Sequence, residues 1–323
     1  MVNRSFLNTK KIYKAFACIA LALFGAVIAL NPQRYAAVCL EGICLWAECV
    51  LPSLFPFMVV SLLLCGLGAI NAVSAPFERV CKKLNFPPAA LPLFLLSAVS
   101  GYPAGSRLLS EYYSSGKISA SQANTLAPLC SICSPAFALG TVGFKAFGGG
   151  CGVKLIIAAY LSVIATTLIY ALLPKKKQNS EYLAPKVKRG GDLLYDSFYG
   201  AVNAVLCAGG FICFFYTLSK AVQDYNLLLP LTALLRLIVG DCADGLCLGL
   251  IEATGGIFAA AKAGGYFALP TAGFLLVFGG GSILLQQLCY LTKCNIKPSS
   301  FILIKFIQGV AAFIILCLFG LFW

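Results

Sequence analysis

The chain has 323 residues, 60% of them hydrophobic and only 11% charged. That is too little charge for a soluble globular domain of this length, and several apolar runs approach the roughly 20 residues that cross a bilayer. The net charge of +13 is gathered in short loops between apolar runs, which reads as orientation in a membrane and not as a nucleic-acid surface. The 16 cysteines are scattered through apolar runs and read as small buried hydrophobes. Cys130 and Cys133 have CxxC spacing, but no second pair and no histidine could complete a metal site. The absence of His also removes the commonest general base, so the expectation is a protein that is not an enzyme and needs no cofactor.

Residues 1–14 are polar and basic, and 12–30 are apolar; together they read as a retained first span with a cytoplasmic N-terminus. Residues 34–50 carry Glu41, Trp46 and Glu48 and are expected as an amphipathic segment along the outer interface. Pro52 and Pro56 start and kink a span to about residue 70, followed by a cytoplasmic loop with Glu78, Arg79, Lys82 and Lys83. Residues 89–100 are too short to cross at about 1.5 Å per residue. The turn from Ser100 to Gly105 then sends the chain back through 106–114, which predicts a re-entrant hairpin. Ser119 or Ser121 caps the next helix, which breaks at 131–135 and resumes to about 147. Gly148, Gly149 and Gly150 turn the chain into a return span over 153–173.

Residues 174–191 hold Lys175, Lys176, Lys177, Lys186, Lys188 and Arg189, the most basic loop and the linker between halves. Beyond it, 193–199 is amphipathic and leads into a span of about 201–218, with Lys220, Gln223 and Asp224 at its outer end. An apolar stretch over 227–239 ends at Gly240-Asp241-Cys242-Ala243-Asp244-Gly245. Residues 246–264 predict a second hairpin with Glu252, Ala253, Thr254 and Gly255 at its tip; 269–291 cross with a break at Gly279–Ser282, and 301–322 form the last span. The expected fold class is an all-α polytopic membrane protein. Residues 1–30 are its N-terminal helix, 31–173 a first repeat, 174–192 the linker, and 193–323 a second repeat of inverted topology.

Five stretches in this order, LPSLFPF (51–57), SGYPAG (100–105), SPAFALGTVG (134–143), IEATGG (251–256) and FGGGSILLQQ (278–287), resemble the sporulation integral membrane proteins of the YlbJ type. Those belong to the nucleoside-recognition, or Gate, domain superfamily, which is similar to concentrative nucleoside transporters with their inverted repeats and re-entrant hairpins. The resemblance implies a role in spore formation, transport of dipicolinic acid, and placement in the membrane around the forespore. One departure concerns the first break. The family's Asn-Asn-Ser-Gly-Pro pattern is replaced by Cys130-Ser131-Ile132-Cys133-Ser134-Pro135, so the side-chain amides it would offer a ligand are absent.

Glu252 stands out as a carboxylate within an apolar segment, where an ionisable group is costly and often functional. It reads either as a site for a proton, cation or solute donor, or as a structural partner of a helix N-terminus. Ser100, Gly101, Tyr102, Pro103 and Gly105 make the first tip, where glycine permits close backbone approach. Ser131 and Ser134 sit where a helix opens, an arrangement that favours anions. Thr254 and Ser282 offer hydroxyls, Gly255 and Gly280 bare backbone, and one of Gln286 and Gln287 should face inward. Arg107 reads as a snorkelling basic residue, and Asp241 and Asp244 as an outer-surface turn. The leading expectation is a secondary transporter of a small polar, anionic or nucleoside-like solute, with Na⁺ or H⁺ as coupling ion. A non-transporting scaffold for spore assembly is the alternative. The partners expected are the lipid bilayer, the solute and a second copy of the chain in a homo-oligomer, without nucleic acid.

Overall fold

The structure is a computed structural model that describes residues 2–68, 78–79, 81, 83, 86–172 and 192–322, with backbone alone for 2–13 and 322. The basic stretch 174–191, and Lys82 in the earlier loop, lie outside the described residues. The described residues are mainly helical and contain no strand. Among the described residues five helices are long and apolar enough to cross a membrane: Pro32–Gly66, Gly152–Leu172, Leu193–Asp224, Ala268–Cys294 and Pro298–Leu321. The protein is thus an all-α polytopic membrane protein.

Helix α1 (Val2–Leu30) is followed by α2 (Pro32–Leu45), which passes through a π-helical turn, Trp46–Val50, into α3 (Leu51–Gly66). The stretch 34–50 is therefore not a separate interfacial helix, as its amphipathic pattern predicts, but the first half of a continuous 35-residue rod. Its polar residues are used against α8 (Leu193–Asp224), which runs antiparallel to it. Arg34 is ion-paired with Asp224, Tyr35 Oη donates to Asp224 Oδ2 at 3.2 Å, and Tyr216 Oη donates to Glu41 Oε2 at 3.1 Å. Gly42 allows the approach, since a methyl group there would sit 3.1 Å from Cys213 Cα. The stretch 193–199 leads directly into its span as the opening of the uninterrupted 32-residue α8.

Two pairs of short helices follow a common plan. In the first half α4 (Ala90–Ser100) and α5 (Ala104–Ser114) form a hairpin. Next come α6 (Ala120–Leu126), a non-helical stretch, a π-helical segment Phe137–Ala146, and the long α7 (Gly152–Leu172). Ser119 closes a full capping box on α6: its Oγ accepts from Gln122 N–H, and Gln122 Oε1 accepts from Ser119 N–H. Beyond Leu126 the chain continues in turns, with Ala127 and Cys130 still donating to carbonyls four residues back, and it unwinds over 131–134, at the expected Ser-Pro break. In the second half α9 (Leu229–Val239) leads to α10 (Ala243–Ile251) and α11 (Ala253–Ala263), again a hairpin. There follow α12 (Ala268–Phe278), α13 (Gly280–Leu291) and α14 (Pro298–Phe322). Each hairpin arm is 9–11 residues, about 14–17 Å at 1.5 Å per residue, half of a bilayer's hydrocarbon thickness.

The core is a single apolar cluster drawn from both halves. Its centre is the α12–α13 region, of which 83% is buried, against 33–39% for the other four spans. Helix α12 is apolar on every face, as expected of a helix surrounded by protein.

Candidate functional site

At the first tip, α4 ends on Gly101 with φ +73°, a left-handed conformation that suits glycine. Gly101 packs on the unwound stretch 131–134: a methyl group on it would lie 2.9 Å from Ser134 N. Gly105 is closer still to the Cys130 carbonyl, which a methyl group there would run into. Tyr160 of α7 ties the two elements together, its hydroxyl lying 3.0 Å from Ala98 O and 3.2 Å from Cys133 O. Ser134 Oγ accepts from Phe137 N–H at 3.3 Å and so caps the helix that resumes there. Ser100 Oγ donates back to Leu96 O at 2.6 Å, leaving it a local role. Pro103 follows a cis peptide bond after Tyr102.

The second tip repeats this with different chemistry. Glu252, 1% exposed, is the N-cap of α11. Its Oε1 accepts from Thr254 N–H at 3.1 Å and its Oε2 from Gly255 N–H at 2.7 Å. The buried carboxylate is thus satisfied by the N-terminal amides of a helix, the structural role open to it, and that role places it at the tip. The hairpin arms touch almost backbone to backbone at Gly245, Gly249 and Gly256. The break between α12 and α13 is made by Gly279 and Gly280, with φ +91° and +58°. A methyl group at Gly280 would run into Gly249 O and stand 3.3 Å from Ala253 N. Each tip therefore rests on the helix break of its own half.

The two tips meet. Tyr102 Oη donates to Leu276 O at 3.3 Å, joining the first tip to the end of α12. Beside that contact lies a cavity of about 20 Å³, room for one water. It is lined by Tyr102, Ser134, Thr254 and Gln286, with Val50, Leu54, Phe137, Ile212 and Ile283 as apolar walls, all buried. Four of the residues marked in the sequence thus come together. Glu252, Gly255 and Gly280 build the second tip around them, and Ser282 Oγ accepts from Gln286 Nε2 at 3.2 Å. Gln287 is buried beside Gln286, and neither of its amide atoms has a partner among the described residues. Ser131 stands apart from the cavity wall: its hydroxyl meets Ser106 Oγ at 3.2 Å. Arg107 pairs with Glu111 at 2.9 Å and reaches the Gly200 carbonyl, and Asp244 pairs with Arg236 on the exposed surface.

Lys305 of α14 escaped the sequence reading. It is 1% exposed, and its Nζ donates to Ser131 O at 2.6 Å. The stretch 131–134 is unwound, so the Ser131 carbonyl has no donor from a continuing helix, and Pro135, where the next helical segment begins, has no N–H to offer. The second half supplies the replacement. The available signal was a lone cation within the apolar run FILIKFIQ. Pro52 and Glu48 repeat the pattern at the surface, where Lys145 Nζ donates to Glu48 O at 2.8 Å.

These features define a class: polytopic helical membrane proteins in which short hairpins and broken helices converge on a buried, partly polar cavity. Over almost its full length the chain is similar to the sporulation integral membrane protein YlbJ of Bacillus subtilis (strain 168), with 26% identity over 341 aligned positions that take in 96% of this chain and 82% of the relative. That similarity supports the kinship to YlbJ-type proteins carried by the five motifs. No protein-family model matches the chain, and no solved structure matches it.

Proposed function

We propose that the protein is a secondary carrier of a small polar or anionic solute, with dipicolinic acid as the first solute to test. The observation that supports this most directly is the convergence of both tips and both helix breaks on one buried cavity holding Tyr102, Ser134, Thr254 and Gln286. Unwound backbone at membrane depth is tolerated where it is buried in protein or lines a cavity, and paired broken helices are a common way for secondary transporters to build a substrate site. On this reading residues 31–173 and 193–323 are inverted repeats, and the two hairpins are re-entrant, as in nucleoside-recognition proteins. The protein is a carrier and not an enzyme, driven by Na⁺ or H⁺, and acts in the membrane around the forespore. The cavity as it stands admits no solute, so transport requires the tips to part.

The test is binding and uptake by the intact chain. In detergent, dipicolinate should raise the melting temperature, and Ser134→Ala together with Thr254→Ala should abolish that rise without lowering the unliganded value by much. Proteoliposomes should accumulate the solute when an ion gradient is imposed. A shift with nucleosides alone would redirect the substrate assignment. No shift and no uptake with dipicolinate, nucleosides or other small carboxylates would reject the carrier in favour of a scaffold.

A further inference from the structure

We infer that Lys305 is the specificity-determining residue that makes the cavity favour a solute with negative charge, an inference that rests on the carrier reading above. Lys305 serves as a donor to the Ser131 carbonyl left open by the unwound stretch before Pro135. A neutral side chain of similar reach would do that without burying a charge; Gln308, one turn along the same helix, is buried and donates to Thr167 Oγ1 at 3.3 Å. Lys145 performs the equivalent task for Glu48 at an exposed position, where its charge stays hydrated. Lys305 has no such outlet at 1% exposure. Nor does a carboxylate answer it among the described residues. Asp224, Glu111 and Asp244 are held by Arg34, Arg107 and Arg236. Glu252, the buried acid of the second tip, is taken up by the amides of Thr254 and Gly255. A positive charge within an apolar span is expensive and retained for a reason.

The charge is also well placed to act. Its acceptor, Ser131, is three residues from Ser134 in the cavity wall, no more than about 11 Å along an extended backbone. At an effective dielectric constant of about 20, a unit charge about 10 Å away alters the binding of an anion by roughly tenfold or more. The solute's own negative charge would be the missing counter-charge, present only while the cavity is occupied.

The experiment compares two probes of matched shape, pyridine-2,6-dicarboxylate and pyridine-2,6-dicarboxamide, titrated into the purified full-length protein. The wild type should bind the dicarboxylate at least about tenfold more tightly than the diamide. Lys305→Gln, which keeps a donor for Ser131 O but removes the charge, should bring that ratio close to one. Lys305→Arg should preserve it. If Lys305→Gln melts too low to titrate, the double variant with Pro135→Ala, which restores a backbone N–H near Ser131 O, carries the same comparison. An unchanged ratio in Lys305→Gln, with Ser134→Ala weakening both probes, would overturn the role of Lys305 and leave the carrier reading standing. Failure of both probes to bind the wild type would overturn the two together.

Discussion

Replacing Glu252 with alanine should unfold the second tip before the rest of the protein. The carboxylate accepts two amides, from Thr254 at 3.1 Å and Gly255 at 2.7 Å, and hydrogen bonds to a charged group contribute about 1.5–3 kcal/mol each. Losing both removes about 3–6 kcal/mol, and relief of the buried charge returns several kcal/mol of desolvation. The expected net loss is about 2–3 kcal/mol, or a fall in melting temperature of about 5–10 °C at about 2–4 °C per kcal/mol. Glu252→Gln retains one acceptor and should fall about half as far. The buried thiols of Cys130, Cys133, Cys242 and Cys247 provide the readout. They react with a fluorogenic maleimide only as the protein opens, so melting is followed in detergent without further labelling. Equal melting of the wild type and Glu252→Ala, or a glutamine variant worse than the alanine one, would refute the capping argument.

Gly256→Ala should be destabilising by about 1–3 kcal/mol, the usual result of forced overpacking, because its methyl group meets the backbone of Gly249. Gly210→Ala in α8, with open space around it, should stabilise by about 0.5–1 kcal/mol. Thermal unfolding of the pair measures both. Cys39 and Cys213 have sulfurs 3.0 Å apart; diamide, which accepts the two hydrogens, should join them, and peptide mapping should find α2 linked to α8, with Cys39→Ser as the control. Lys305→Met should lose about 1–3 kcal/mol by leaving Ser131 O without a donor. That loss should shrink in a Pro135→Ala background, and additive losses in the double-mutant cycle would refute the proline–lysine pairing.

Much of the architecture is legible in residue chemistry alone. Gly101, Pro103, Pro135, Gly279 and Gly280 interrupt apolar sequence where a ladder of helical bonds cannot continue, and the structure breaks at each of them. Tyr102, Ser134, Thr254 and Gln286 are identifiable because they are polar groups at those interruptions. Helix continuity is harder to read. The 34–50 stretch looks amphipathic, yet its Arg34, Tyr35 and Glu41 are used on Asp224 and Tyr216 across an antiparallel pair, a relation between residues 175 to 190 positions apart. Lys305 is hidden for the same reason. Its use depends on a carbonyl 174 positions away, and local sequence shows only a cation near Lys293 and Lys297, within reach of a membrane surface.

The first tip is joined to its helix break by hydroxyl bridges, Tyr160 to Ala98 O and Cys133 O and Ser106 to Ser131, whereas the second meets its break through bare glycine backbone, Gly280 against Gly249 O and Ala253 N. The two ends of the chamber therefore answer to opposite kinds of change. Deleting one oxygen, as in Tyr160→Phe, loosens the first, while adding one methyl group, as in Gly280→Ala, pries the second from its break. Point variants drawn from these two positions therefore probe the packing of each tip separately.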